Sequence, residues 1–304
     1  MSIVVIGSVA YDSIATPLGC RDDMLGGSGT FFSLAAARFA KPSVVAVVGE
    51  DFRPDDLALL QEQGVDLSGL QHSPGKTFRW GGRYHEDMNG RDTLFTELNV
   101  FESFQPKLTP AQAESSFVFL GNIQPRLQDS VLEQVKAPRF VAADTMNLWI
   151  HTARAELVEV LRRVDALFIN DEEARELTGK RSVVLAAREI QAMGPSMVVI
   201  KRGEHGAIVF NDGDIFYAPA FPLERVVDPT GAGDTFAGGF VGYLESTGDI
   251  SAANARRAAV VGSIMASFCV EGYGVDKLKR VDRQAIRERY EAFAKLTTFG
   301  GLVL

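Results

Sequence analysis

The run Val227-Asp228-Pro229-Thr230-Gly231-Ala232-Gly233-Asp234-Thr235-Phe236-Ala237-Gly238-Gly239-Phe240 carries most of the information in this chain. Gly231-Ala232-Gly233 makes a tight turn, and the apolar stretch after it is helical. A helix start leaves N–H groups unpaired at the positive end of the helix dipole, so this turn is a ready anion site. Asp234 falls in the first helical turn. A carboxylate there is either a structural cap or, beside a bound phosphate, a base for an attacking hydroxyl.

Upstream, short β-branched apolar runs recur at Ile3–Ile6, Val44–Val48, Phe117–Leu120, Phe140–Ala143, Ala166–Ile169 and Val198–Ile200. Most lead into helical patterns, at Thr30–Phe39, Pro54–Gln63, Leu127–Val135 and Thr152–Arg162. Runs this apolar are buried on both faces, and strand–helix alternation implies right-handed crossovers. The helical end of the chain comprises Gly233–Glu245, Ala252–Phe268 and Asp282–Lys295. The expected fold is α/β, a doubly wound, mostly parallel sheet flanked by helices, as one domain over 1–304.

The stretch from about Thr77 to Phe104 breaks this rhythm. Alternating apolar and polar residues flank Asn89-Gly90, a strong hairpin signal. A small antiparallel β lid over the carboxyl edge of the sheet is favoured over an edge hairpin, with its parts at about 13–25 and 77–104.

The 304 residues are 46% hydrophobic, with 31 Lys+Arg against 39 Asp+Glu and a net charge of −8. That balance argues against nucleic acid or an anionic membrane as a partner, while leaving small anions open. No apolar run reaches the roughly 18 residues of a membrane span, and Ile3–Ile6 reads as a core strand instead of a signal peptide. Two distant cysteines, Cys20 and Cys269, fit a reduced cytoplasmic setting. Ser73-Pro74-Gly75-Lys76-Thr77 lacks the first glycine of a P-loop, since Leu70 holds that slot. Gly27-Ser28-Gly29 lacks the third glycine of a dinucleotide fingerprint, and the four histidines show no zinc spacing.

The opening run resembles the D-T-x-G-A-G-D-x-F-x-x-G-F signature of the ribokinase-like (PfkB) carbohydrate kinase family, with Pro229 in place of the usual Thr or Ser. The similarity extends to Gly7-Ser8 with Asp12, to Gly26-Gly27 before a helix, and to Val48-Gly49-Glu50-Asp51. It continues in Asn170-Asp171-Glu172-Glu173 and in Lys201-Arg202-Gly203 with Gly206. The resemblance implies an ATP-dependent kinase acting on a hydroxyl of a sugar or sugar-like substrate, a nucleoside being the alternative and a non-catalytic sensor the remaining one. It makes Asp234 the base and the N–H groups of Gly231, Ala232 and Gly233 the phosphate hole. Asp12, Gly26, Gly27 and Ser28 become the substrate region, and Asn170, Glu173, Lys201, Gly203 and Gly206 the nucleotide region. Glu173 would order Mg²⁺ through waters, and Asp228 with Thr230 matches a monovalent-cation site, leaving K⁺ dependence open. Bland readings stand beside these: a capping box for Asn170 and Glu173, turn residues for Asp12, Asp228 and Thr230, and a solvated strand end for Lys201. Pairing of two copies through the lid is also left open.

The substrate end departs from the family. Ala10 and Phe31 stand where many members carry hydroxyl-binding Asn side chains, which puts a simple pentose in doubt. Phe78, Trp80, Tyr84, Phe95 and Phe101 make the lid aromatic, for packing or for stacking on a ligand. Asn122 and Asn147 follow strand ends, as replacement polar contacts or loop caps.

Overall fold

The apolar runs become strands because a parallel sheet has no solvent face on which to place them. A computed structural model describes residues 2–298. Its strands are β1 (Ile3–Ile6), β2 (Ala10–Thr16), β3 (Gly19–Gly26), β4 (Pro42–Val48), β5 (Asp66–His72), β6 (Arg79–Tyr84) and β7 (Arg91–Glu97). There follow β8 (Phe117–Leu120), β9 (Phe140–Asp144), β10 (Ala166–Asn170), β11 (Met197–Lys201), β12 (Ala207–Asn211) and β13 (Asp214–Ala218). Nine of them form the main sheet in the order β13-β12-β11-β10-β9-β8-β1-β4-β5. Pairing is parallel from β11 to β5, and β12 and β13 close one edge antiparallel.

Alternate residues of each strand feed two cores. Ile3 and Val5 pack with Phe32, Phe236 and Phe240 from the helices Ser28–Ala36 and Ala232–Thr247. Val4 and Ile6 pack on the opposite face, in the cluster that holds Leu157 and Leu177. The chain winds from β1 towards β5 on one side and from β8 towards β11 on the other. Strand order therefore reverses between β1 and β8, and ligands of open α/β sheets bind at the carboxyl ends there.

The lid is a separate four-stranded sheet, ordered β3-β2-β6-β7. Its two hairpins are antiparallel, and they join side by side through the parallel pair β2–β6. Its base is pinned by Asp51 of the Val48–Asp51 turn, which accepts from the Thr77 N–H and hydroxyl at 2.7 Å each and from Arg79 at 2.9 Å. Burial opposes ionisation of Asp51, yet these bonds hold its carboxyl below the usual range.

Some expectations need correction. Asn89-Gly90 does not form a two-residue turn, because β6 ends at Tyr84 and β7 starts at Arg91, leaving a six-residue tip. The helix expected over Thr152–Arg162 spans Arg154–Leu161, and a further short helix, Asn147–Thr152, precedes it across a break at Ala153 with φ −140°. β12 and β13 were legible in principle, since Asp212-Gly213 between them is a hairpin signal with both φ angles positive.

Gln128 of the helix Pro125–Leu132 fixes the carboxyl ends of β8 and β9. Its buried Nε2 donates to Gly121 O at 2.9 Å and to Asp144 O at 3.0 Å. Replacing it with leucine should leave both carbonyls unpaired and cost about 1–3 kcal/mol. Urea denaturation of Gln128→Leu checks this; an unchanged midpoint would show that the side chain is dispensable to the edge.

Candidate active site

Gly231 sits at φ 75°, in the left-handed region that favours glycine, just before the helix Ala232–Thr247. A methyl on it would overlap the Phe31 ring, which lies against the turn and is 1% exposed. Phe31 thus supports the anion turn and is covered by protein, so it is not an apolar substitute facing a sugar. The Gly231 and Gly233 amides have no acceptor among the described residues, whereas the Ala232 N–H closes the turn on Pro229 O at 3.2 Å. Two of the three expected phosphate donors are accordingly free.

Four charged side chains gather at this turn, Lys201 and Asp144 from strand ends and Asp234 and Glu173 from helix starts. Lys201, at the end of β11, places Nζ 2.8 Å from Oδ2 of Asp144, at the end of β9. The ammonium also lies 3.1 Å from where a Gly233 Cβ would stand, so glycine there is a matter of room. Burial alone would lower the Lys201 pKa, but Asp144 and Glu173 hold it above its ordinary value. Lys201 is therefore a paired, fixed cation and not a solvated strand end.

Asp234 is pushed up to about 7, first by burial and then by Asp144, with Lys201 and Arg91 pulling the other way. Glu173 is likewise raised to about 7 by burial, against the opposing effects of Lys201 and the Asn170 hydrogen bond. The capping box is formed in full: Glu173 N donates to Asn170 Oδ1 at 2.7 Å, and Asn170 N donates to Glu173 Oε2 at 3.0 Å. Asn170 is thereby committed to the helix Asp171–Thr178, while Glu173 keeps one oxygen unbonded.

Asp12 of β2 is 5% exposed, and its carboxyl fills the space that a side chain on Gly26 would need. Burial raises it to about 7, against a bond from the Gly27 amide, with Asp228 and Asp234 adding to the rise. Trp80 of β6 is its register partner across the parallel pair and therefore projects to the same face. Ser28 is turned inward: its N–H donates to Ser8 Oγ at 3.0 Å and its hydroxyl accepts from Ser8 N at 3.1 Å. Asp228 is 1% exposed, accepts from Thr230 N at 2.9 Å and Gly274 N at 3.0 Å, and is raised by burial. Thr230 in turn donates to the Tyr84 hydroxyl at 3.2 Å, joining lid to turn.

The remaining lid aromatics divide. Phe78 stacks on Phe101 at 5.3 Å, which is packing. Phe95 covers Gly81, and Trp80 covers Gly82 with Arg91 5.6 Å above its ring. Asn122 accepts from the Trp149 indole at 2.9 Å, and Asn147, which is exposed, accepts from Leu148 N at 2.9 Å and keeps its amide N–H groups open. Sequence reading missed Asp144 and Arg91. Asp144 ends β9, in line with β10 and β11, whose last residues were singled out, so its place in the sheet was the available signal.

A cavity of about 480 Å³ opens beside the turn, lined among others by Lys201, Gly233, Phe221, Leu223, Val226 and Val270. Gly203 and Gly206 line its side, with Gly206 N donating to Gly203 O at 3.0 Å in the turn after β11. No cluster of three or more His, Cys, Asp or Glu poised to hold a metal is present among the described residues. Nor is any helix among them long and apolar enough to cross a membrane.

The chain is 37% identical over 251 residues to a cytidine kinase of Thermococcus kodakarensis, covering 80% of this chain and 88% of that one. It is 26% identical over 293 residues to a nucleoside kinase of Methanothermobacter thermautotrophicus, with 90% of each chain covered. In structure it is similar to a putative ribokinase II of E. coli solved with ATP and Mg²⁺, at TM-score 0.79 and 18% identity, covering 97% and 99% of the two chains. Residues 2–277 match the family described as pfkB family carbohydrate kinase, and the chain belongs to that family of kinases.

Proposed function

We propose that this kinase transfers the γ-phosphoryl group of ATP to a ribose hydroxyl of a nucleoside. The observation that carries the nucleoside reading is the pairing of Asp12 with Trp80 on one face under the lid. A buried carboxylate grips two vicinal hydroxyls, and an aromatic face beside it suits a base. The similarity to a cytidine kinase supports the same choice over a free sugar. Gly26 and Gly27 give the acceptor's hydroxyls room to reach Asp12, while Ser28 and Ser8 hold that loop shut from behind.

In the transfer, Asp234 accepts the proton of the acceptor hydroxyl as its oxygen bonds to the γ-phosphorus and the bond to ADP breaks. The Gly231 and Gly233 amides and the Lys201 ammonium meet the phosphate charge, and Ala232 joins them once its turn bond opens. Positioning and electrostatics of this kind do most of the work in phosphoryl transfer. Glu173, raised by burial and with one oxygen free, has the hard oxygen chemistry that water-bridged Mg²⁺ requires. When bound, Mg²⁺ neutralises charge on the phosphates. Asp228 is a buried carboxylate without a cationic side-chain partner among the described residues, which suits K⁺ against the 270–274 loop.

Three outcomes test this reading. In an ATP-consumption screen, kcat/KM for cytidine or another ribonucleoside should exceed that for ribose by on the order of 100-fold. Turnover of free sugars alone would overturn the substrate class. Asp234→Asn should lower kcat by about 10²–10⁴ with nucleoside affinity nearly unchanged, and a variant retaining a tenth of the activity would remove Asp234 from the base role. Because burial and Asp144 raise Asp234 to about 7, protonation below that pH disables it. kcat/KM should therefore be flat well above pH 7 and fall by at least about tenfold per unit well below it, Asp12 and Glu173 protonating over the same range. A profile flat down to pH 5 would contradict the base assignment.

A further inference from the structure

The lid does not stop at the acceptor side. Beyond Trp80 and Tyr84, the β6–β7 hairpin continues to a tip whose residues Asp87, Met88 and Asn89 line the same cavity as Gly203, Gly206 and Gly233. The tip also touches the turn after β11: Asn89 Nδ2 donates to Glu204 Oε1 at 3.3 Å, and its Oδ1 lies 3.0 Å from where a Gly203 Cβ would stand.

This tip is a built loop. Asp87 Oδ1 accepts from Asn89 N at 3.0 Å and Gly90 N at 3.1 Å. Met88 N donates to His85 O at 3.0 Å, and His85 N donates to Gly90 O at 2.9 Å. Met88 is held at φ 57°, a left-handed conformation uncommon for a residue with a side chain. It is half-buried at a tip where His85, Glu86, Asp87 and Asn89 are exposed, and it lines the cavity.

We propose that Met88 and Asn89 are part of the nucleotide site, Met88 closing the cavity over the bound nucleotide and Asn89 fastening the lid to the Gly203–Glu204 turn. The inference rests on the reading of this cavity as the ATP site. One hairpin then serves both ligands, with Trp80 over the acceptor and Met88 over the nucleotide. Each ligand favours the same closed lid, so their affinities are coupled, and equally in both directions.

The test uses the full chain and the magnesium complex of a non-hydrolysable ATP analogue, with no acceptor added. Binding is measured by calorimetry for the wild type and for the double variant Met88→Gly, Asn89→Ala. Glycine tolerates the φ at 88, and an unchanged melting temperature without ligand confirms that the variant is folded. The analogue should slow hydrogen exchange at 85–90 in the wild type, and the variant should bind it at least about fivefold more weakly. Wild-type binding with no change in exchange and equal affinity in the variant would overturn the proposal while leaving the nucleotide site in place. Failure of the wild type to bind the analogue at all would overturn the site and the proposal together.

Discussion

The Lys201 ammonium and the Asp144 carboxylate meet at 2.8 Å across the end of β10, and the rest of the site is arranged around that pair. Burying two charges costs about as much as their attraction returns, so the pair adds little to stability. Removing Lys201 would leave the buried Asp144 carboxylate without its cation, at a cost of about 3–5 kcal/mol. What the pair secures is position. It fixes a cation against Gly233, the turn proposed to receive the phosphate, and it sets the electrostatic surroundings of Asp234. Asp144 raises Asp234 while Lys201 and Arg91 hold it down, and the balance is a carboxylate poised near neutrality. In the base role proposed for it, such a group is basic enough to take a hydroxyl proton and still acidic enough to be ionised at working pH.

A chain with net charge −8 can handle phosphate because the positive potential is local. Two unpaired amides at a helix start, one buried lysine and one lid arginine concentrate it at a single turn. Glycine does the spatial work: Gly231 for its backbone angle, Gly233 for the lysine and Gly26 for the Asp12 carboxyl. The lid completes the arrangement, since Thr230 beside the turn bonds Tyr84 of β6 and Arg91 of β7 faces the acidic cluster.

The parallel strands were legible because burial on both faces writes itself into the sequence as unbroken apolar runs, as in Ile3–Ile6 and Phe117–Leu120. Strands with one wet face were not: β5 and β13 alternate between half-buried and exposed and were passed over. In the site, Asp234, Asp12 and Glu173 stood in motifs with an intelligible local role. Asp144 carries no local signal, because its importance comes from Lys201, 57 residues away in the chain. Arg91 was invisible for the same reason, its effect on Asp234 existing only once the lid is folded over the turn. Asn122 and Ser28 illustrate the opposite difficulty, since polar residues near a strand end also satisfy the backbone and side chains around them.

The central claim is that one carboxylate, one helix-start turn and one paired lysine converge on the transferred phosphoryl group. A crystal structure of the chain with cytidine and a non-hydrolysable ATP analogue tests this directly. It should place the γ-phosphate on the Gly231 and Gly233 amides and beside Lys201, with a ribose hydroxyl about 3 Å from Asp234. A γ-phosphate seated elsewhere, or an acceptor hydroxyl directed to a group other than Asp234, would contradict it.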